Sequence, residues 1–155
     1  MKLLWRKVDL IVELKYISME ENNELKEPYE LFGVECDKGW YHIINPIFDY
    51  IEKYNKENPD NKIVVQQVKE KFGELRFYVS HGDKTLYDMI DEAEKESWET
   101  CESCGSKDNI IHTEGWIWTV CKDCLQKSVK RSYRPVTFWE DKKHYICDKD
   151  GIKEI

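Results

Sequence analysis

Four cysteines arranged as two CxxC pairs are the residues of this sequence with the clearest chemistry. Cys101 and Cys104 form the first pair, and Cys121 and Cys124 form the second after 16 intervening residues. A CxxC turn directs two thiolates at one centre, and a second pair completes a tetrahedral shell. Gly105 follows the first pair and supplies the backbone freedom that such a turn uses. The spacing predicts one structural Zn²⁺ with four cysteine ligands and no open position for an activated water.

The elements that must position these cysteines can also be predicted. Residues 110–120 indicate a short hairpin, and the helix that follows is expected to end near Pro135. Cys121 and Cys124 then lie at the N-terminus of that helix, where its dipole favours the thiolate form. A cysteine knuckle, a hairpin and a ligand-bearing helix in this order form the treble-clef arrangement.

The same helix carries a stripe of cations at positions i, i+3, i+4 and i+7. Like charges at this spacing repel one another, which costs stability unless an anion or an acidic surface lies opposite. In one interpretation the stripe is solvated or faces the acidic helix predicted for 86–99. In the other it binds a nucleotide or nucleic-acid phosphate. Its members are Lys127, Lys130, Arg131 and Arg134.

The stretch QVKEKFGELRFYV, residues 67–79, predicts a β-hairpin with a second charged surface. A two-residue turn at 72–73 places Val68 opposite Phe77 on an apolar face, whereas a slip by one residue would mix polar and apolar side chains. The two-residue turn is therefore the preferred register. The other predicted cross-strand pairs are Gln66 with Val79, Gln67 with Tyr78, Lys69 with Arg76, Glu70 with Leu75, and Lys71 with Glu74.

The charged face of this hairpin has two interpretations. One wet face is ordinary for an antiparallel sheet, whereas the like charges of Lys69 and Arg76 placed opposite each other favour an anion site. In the second case the cations hold a phosphate-bearing ligand while an aromatic side chain stacks on its base. The candidate ligand-binding residues are Lys69, Lys71, Arg76, Tyr78, Trp116, Lys127, Lys130, Arg131 and Arg134.

The histidines predict no catalytic centre. His112 lies between the CxxC pairs but lacks the Asp or His that precedes it in HNH nucleases, and the interval leaves no room for their second metal-binding segment. No Ser/His/Asp set, phosphate-gripping glycine loop or HExxH motif occurs. We therefore expect a protein without enzymatic activity. His42, His81 and His144 are expected to be structural or exposed, and Cys36 and Cys147 are expected to be ordinary isolated thiols.

Charge and hydropathy limit the partners of this 155-residue chain. A net charge of −7 does not favour indiscriminate binding to nucleic-acid phosphates or anionic lipid, and it suits a compact nucleotide better than a long duplex. The N-terminal segment mixes charged with apolar residues, and no apolar run approaches the roughly 18 residues of a membrane span. We expect a soluble, cytoplasmic protein whose thiols stay reduced and bind metal.

Periodicity predicts an α+β fold in which two main helices pack on a small antiparallel sheet. Asp37 is the predicted N-cap of the first main helix, Pro46 is expected to kink that helix or delay its start, and residues 3–17 favour a further helix. The predicted division is an α+β body at 1–99, a zinc knuckle with its basic helix at 100–135, and a tail hairpin at 136–155 that packs Trp139, Tyr145 and Ile146 back on the body.

Two resemblances extend this interpretation. The stretch CESCG…VCKDC with its basic helix resembles the zinc finger of the DksA/TraR family, which regulates RNA polymerase through its secondary channel. That likeness covers the knuckle alone. The long coiled-coil hairpin of the family is not evident in this sequence, so the resemblance does not imply its activity.

A broader resemblance covers most of the chain. The blocks GVECDKGWYHII, QVKEKFGELRFYV, IDEAEKES…CESCG and GWIWTVCKDC, in this order, resemble an uncharacterised family of small proteins of bacteria and tailed phages. The resemblance implies one integrated unit and a phage or prophage context, with the host cytoplasm as its location. It implies no known activity.

The sequence as a whole predicts a non-enzymatic, zinc-binding recognition protein. Its expected ligand is a nucleotide-type molecule or a nucleic acid, including a signalling nucleotide that the protein would sequester. The alternative is an inhibitor or adaptor that acts on a host protein such as RNA polymerase. A nuclease is the least favoured class, and a homo-oligomer stays open.

Overall fold

The computed structural model describes residues 33–155, so the helix predicted for 3–17 lies outside the described residues. Within the described range, three helices and eight strands confirm the α+β class. None of these helices is long and apolar enough to cross a membrane. The helices are α1 (Tyr41–Glu57), α2 (Lys84–Trp98) and α3 (Lys122–Ser132). The strands are β1 (Val34–Glu35), β2 (Val65–Lys71), β3 (Glu74–Val79), β4 (Ile110–His112), β5 (Thr119–Cys121), β6 (Val136–Glu140), β7 (Lys143–Asp148) and β8 (Gly151–Glu154).

A first core forms between α1, α2 and the sheet β1–β3. Asp37 caps a short 3-10 turn, Lys38–Trp40, by accepting a hydrogen bond from the Lys38 N–H at 2.7 Å, and α1 continues directly from this turn. Pro46 lies inside α1, and the helix continues past it to Glu57. The apolar stripe that the sequence predicts for α1 is buried in this core and consists of Ile43, Ile44, Ile47, Phe48 and Ile51.

The sheet of the first core is mixed rather than antiparallel throughout. β1 pairs in parallel with β2, and β3 pairs antiparallel with β2. A parallel neighbour requires a long crossover connection, and α1 supplies it. The prediction of an antiparallel sheet is therefore wrong for β1. The predicted hairpin register is confirmed from Gln67 and Tyr78 to the turn. Val79, however, pairs with Val65 instead of Gln66, because a β-bulge interrupts β2 there.

Side chains of α2 cover the outer edge of β3. The backbone N–H of Leu75 donates to Ser97 Oγ at 2.9 Å, and that of Phe77 donates to Glu94 Oε1 at 3.2 Å. These bonds satisfy edge donors that could otherwise pair with a second chain. Asp83 is the N-cap of α2 and fixes where the helix begins.

A second core joins the cysteine segment to the three C-terminal strands. β4 and β5 form the predicted hairpin, an isolated bridge between Thr113 and Phe138 connects it to β6, and α3 packs on β7. Residues 136–155 therefore pack on the knuckle, whereas the sequence predicts packing on the body. Tyr145 packs against this core and Trp139 is exposed. The buried set is Cys101, Ile111, Val120, Cys121, Leu125, Val129, Phe138 and Cys147.

The two cores meet at the start of α1. The indole Nε1 of Trp40 donates to the carbonyl of Thr100 at 2.8 Å, and the N–H of Gly39 donates to the carbonyl of Glu102 at 2.8 Å. A Cβ on Gly39 would lie 2.2 Å from the carbonyl oxygen of Cys101, so only glycine allows this approach. The first cysteine pair is thus held directly against the body.

Candidate functional site

The four cysteines of the CxxC pairs come together in one cluster. Their sulfur atoms all lie within 4.8 Å of one another. The Sγ atoms of Cys104 and Cys121 are 3.7 Å apart. Tetrahedral coordination with metal–sulfur bonds of about 2.3 Å places neighbouring sulfurs about 3.8 Å apart. The predicted four-cysteine cluster is therefore confirmed, and its geometry could hold one tetrahedral metal ion.

Backbone geometry holds the four sulfurs in this arrangement. Gly105 adopts φ +80°, and its N–H donates to the carbonyl of Cys101 at 2.8 Å, which closes the first knuckle turn. Cys121 is the N-cap of α3, and its sulfur accepts the backbone N–H of Cys124 at 3.4 Å. The predicted position of the second pair at a helix N-terminus is therefore confirmed.

The thiols of this cluster need a cation before all four can ionise. Burial raises the pKa of Cys101, and burial together with the neighbouring sulfurs raises the pKa of Cys124 to about 12. Burial also opposes ionisation of Cys104, but hydrogen bonds from the Ser106 N–H and the adjacent thiols lower its pKa overall. Four thiolates in one cluster are stable only when a metal ion compensates their charge.

One cation on the hairpin face, Arg76, is paired with carboxylates. Arg76 Nη2 lies 2.6 Å from Glu74 Oε2, and Arg76 Nη1 lies 3.7 Å from Glu94 Oε2. Lys69 lies between Arg76 and Glu35 in the sheet register. Arg76 therefore needs no external anion. Its position opposite Lys69 does not by itself indicate an anion site.

Lys71, at the end of the hairpin, contributes instead to a cleft of about 200 Å³ between the two cores. Phe72 forms one part of the lining and is 70% exposed, and Trp116 forms another and is 81% exposed. The Lys71 ammonium lies 5.7 Å from the centroid of the Phe72 ring. The remaining lining residues are Glu70, Gly115 and Ile117. Two predicted ligand-binding residues, Lys71 from the hairpin and Trp116 from the cysteine segment, thus line the same cleft.

Sequence reasoning missed Phe72, which it assigned only to the turn. Phe72 has φ 53° and Gly73 has φ 81°, a pattern of left-handed backbone that two-residue hairpins usually fill with Asn-Gly. A bulky side chain at positive φ is uncommon and costs on the order of 1 kcal/mol. The signal in the sequence was the aromatic residue itself, since it occupies a turn position that favours Asn.

The structure does not bring the other predicted ligand residues to this cleft. Tyr78 is exposed on β3 but lies five residues beyond the turn glycine, about 17 Å along an extended strand. The opposite side of α3 packs into the second core. Lys127, Lys130 and Arg131 are exposed on α3, and Arg134 is exposed two residues beyond the end of the helix at Ser132. None of these four forms an ion pair with a described residue, so the acidic helix α2 is not their partner.

His112 is occupied by other contacts. Its ring stacks on Trp98 with 3.6 Å between centroids, and its Nε2 lies 3.0 Å from the carbonyl oxygen of Trp98. Burial lowers its pKa. The four-cysteine cluster does not include this histidine.

Comparison of the chain with family models, with curated proteins and with solved structures finds no match. The resemblance to a phage and bacterial family therefore stays a prediction. The cysteine cluster and the cleft are the features that indicate a function.

Proposed function

We propose that this chain is a non-enzymatic recognition protein with one structural Zn²⁺ and a cleft that binds a base of a nucleotide-type ligand. Phe72 and Trp116 stack on the base, and Lys71 contacts its phosphate. The observation that carries this proposal is that two largely exposed aromatic side chains and an exposed lysine line one cleft.

Zinc is the metal that suits the cluster best. Four thiolates in tetrahedral geometry are a set that Zn²⁺ prefers, and they leave no position for a water that the metal could activate. The sequence of knuckle turn, β4–β5 hairpin and α3 further supports a treble-clef arrangement. We therefore assign the metal to stability and the cleft to recognition.

The size of the cleft favours a small ligand moiety. Clefts that enclose drug-sized molecules usually measure about 300–1,000 Å³, whereas this one measures about 200 Å³. It suits one ring rather than a whole nucleotide. Stacking is strong enough to act with a single cation, because it contributes about 1–3 kcal/mol per base.

Calorimetric titration tests this proposal. The ligands are the four ribonucleoside 5′-monophosphates and an eight-nucleotide oligothymidylate, each added to the zinc-loaded chain. We expect saturable binding that weakens at least tenfold in Phe72→Asn and in Trp116→Ser. Tyr87→Ser is the matched control, because Tyr87 is an exposed aromatic residue on α2 outside the cleft. Absence of binding to every ligand, or equal binding by Phe72→Asn and the wild type, would overturn the proposal.

A further inference from the structure

A further aromatic side chain, Trp139, is held rigidly by hydrogen bonds and stacking and is exposed on one side. The carboxylate of Glu114 accepts three hydrogen bonds, from Trp139 Nε1 at 2.6 Å, Thr137 Oγ1 at 2.6 Å and His144 Nε2 at 2.7 Å. These bonds lower the pKa of Glu114 to about 2. The carboxylate therefore stays ionised and keeps its three donors in place.

The Trp139 ring is prepared for stacking. One of its faces lies on the imidazole of His144, with 4.5 Å between centroids and 9° between planes. The side chain is nevertheless 56% exposed, so its other face is open to solvent. An aromatic ring that is already fixed loses little conformational freedom when a planar ligand stacks on it.

This ring is anchored to the loop that lines one side of the cleft. Glu114, which anchors the Trp139 indole, lies two residues before Trp116, a distance of at most about 7 Å along the backbone. The backbone N–H of Glu114 also donates to the carbonyl of Thr137 at 2.8 Å, so the cleft loop and β6 are joined at this point. The loop that carries Trp116 and the strand that carries Trp139 are thus joined through Glu114.

An exposed cation lies in the turn that follows the strand of Trp139. Lys142 occupies the turn between β6 and β7, next to the strand pair that carries Trp139 and His144. It is exposed and forms no ion pair with a described residue. Lys71 lines the cleft, and Lys142 lies three residues beyond Trp139 in the chain.

We infer that Trp139 is a second base-stacking platform and that the ligand is a single-stranded nucleic acid with at least two unstacked bases. One base occupies the cleft of Phe72 and Trp116, and another stacks on Trp139, with Lys71 and Lys142 near the phosphates. This inference rests on the proposed function of the cleft. It narrows the ligand class from nucleotides in general to single strands.

The length dependence of binding tests the inference. Thymidine 5′-monophosphate and oligothymidylates of two, four and eight nucleotides are titrated into the zinc-loaded chain. We expect a gain of about tenfold or more in affinity from the monophosphate to the four-nucleotide strand. Trp139→Leu, which keeps an apolar side chain on β6 without a π face, should remove this gain and leave the monophosphate affinity unchanged. Trp139→Phe should retain most of the gain.

The outcomes separate this inference from the proposed function. A length gain that persists in Trp139→Leu, or no length gain in the wild type, overturns the inference and leaves the cleft proposal standing. Binding that does not respond to Phe72→Asn overturns the proposed function itself. Absence of binding to every strand is the result expected of a protein-docking surface, and it overturns both.

Discussion

Thr119 donates its side-chain hydroxyl to the backbone carbonyl of Gly73 at 2.6 Å. This bond joins β5, the strand that ends in the metal-ligand candidate Cys121, to the turn that carries Phe72. The contact is tight, because a Cβ on Gly73 would lie 2.8 Å from Ile117 Cγ2. The cysteine cluster therefore supports the cleft as well as its own segment.

Loss of one metal ligand should consequently disturb both regions. Native mass spectrometry is expected to show one zinc per wild-type chain and none in Cys104→Ser. The variant, or the wild type after chelation, should lose amide protection across residues 100–135. Its thermal midpoint should fall by more than about 10 °C, because structural metal binding is coupled to folding. Cys36→Ser is the control, since Cys36 lies outside the cluster. Unchanged stability after chelation would contradict the structural role of the metal.

Replacement of Phe72 by asparagine should stabilise the chain while it removes binding. Asparagine adopts the left-handed conformation of this turn position more readily than phenylalanine, so the free energy of unfolding should rise by about 0.5–1 kcal/mol. Chemical denaturation measures this change. Phe72→Ala is the comparison, because it removes the ring but gains no turn preference, and it should weaken binding without the stabilisation. A lower stability of Phe72→Asn would show that the ring contributes to packing.

Gly39→Ala should be one of the most destabilising small substitutions in the chain. The added methyl group would meet backbone oxygens of Cys101 and Glu102 at 2.2 and 2.3 Å, and backbone cannot yield as a side chain can. We expect a loss of about 3 kcal/mol in the free energy of unfolding. Gly115→Ala is the matched control, because no atom lies within 4 Å of its added Cβ and only its positive φ is strained. It should cost about 1 kcal/mol. Equal losses of unfolding free energy in the two variants would indicate that the two cores lie further apart than in the structure.

The salt dependence of strand binding should be shallow. Each phosphate contact contributes about −0.7 to the slope of log affinity against log salt for single strands. Lys71 and Lys142 together predict a slope of about −1.4 for the eight-nucleotide oligothymidylate. Neutralisation of Lys130 on α3 should leave both the slope and the affinity unchanged. A slope near −4 would instead indicate that all four cations of the stripe contact phosphates as well.

Several features were predictable because they depend on short-range rules. The CxxC spacing indicated the four-cysteine cluster, and helix capping placed Cys121 and Cys124 at the start of α3. The face alternation of β2 and β3 settled the hairpin register near the turn, because a slip by one residue would expose every buried side chain. Each of these features depends on residues that are close together in the chain.

Other features depended on contacts between distant segments. The parallel pairing of β1, the packing of β6–β8 on the knuckle and the pairing of Arg76 with Glu94 each join residues that local patterns do not relate. Phe72 and Trp116 are 44 positions apart and meet because Thr119 holds the hairpin turn against the knuckle.

The sequence by itself therefore determined the cysteine cluster, the start of α3 and the hairpin register near the turn, since spacing and periodicity act through the local backbone. Only the tertiary structure decided which charges are available. It neutralises Arg76 with carboxylates, leaves the α3 stripe away from the cleft, and brings Lys71 beside two exposed aromatic rings. Charge compensation and burial depend on through-space neighbours, and these exist only once the two cores have packed together.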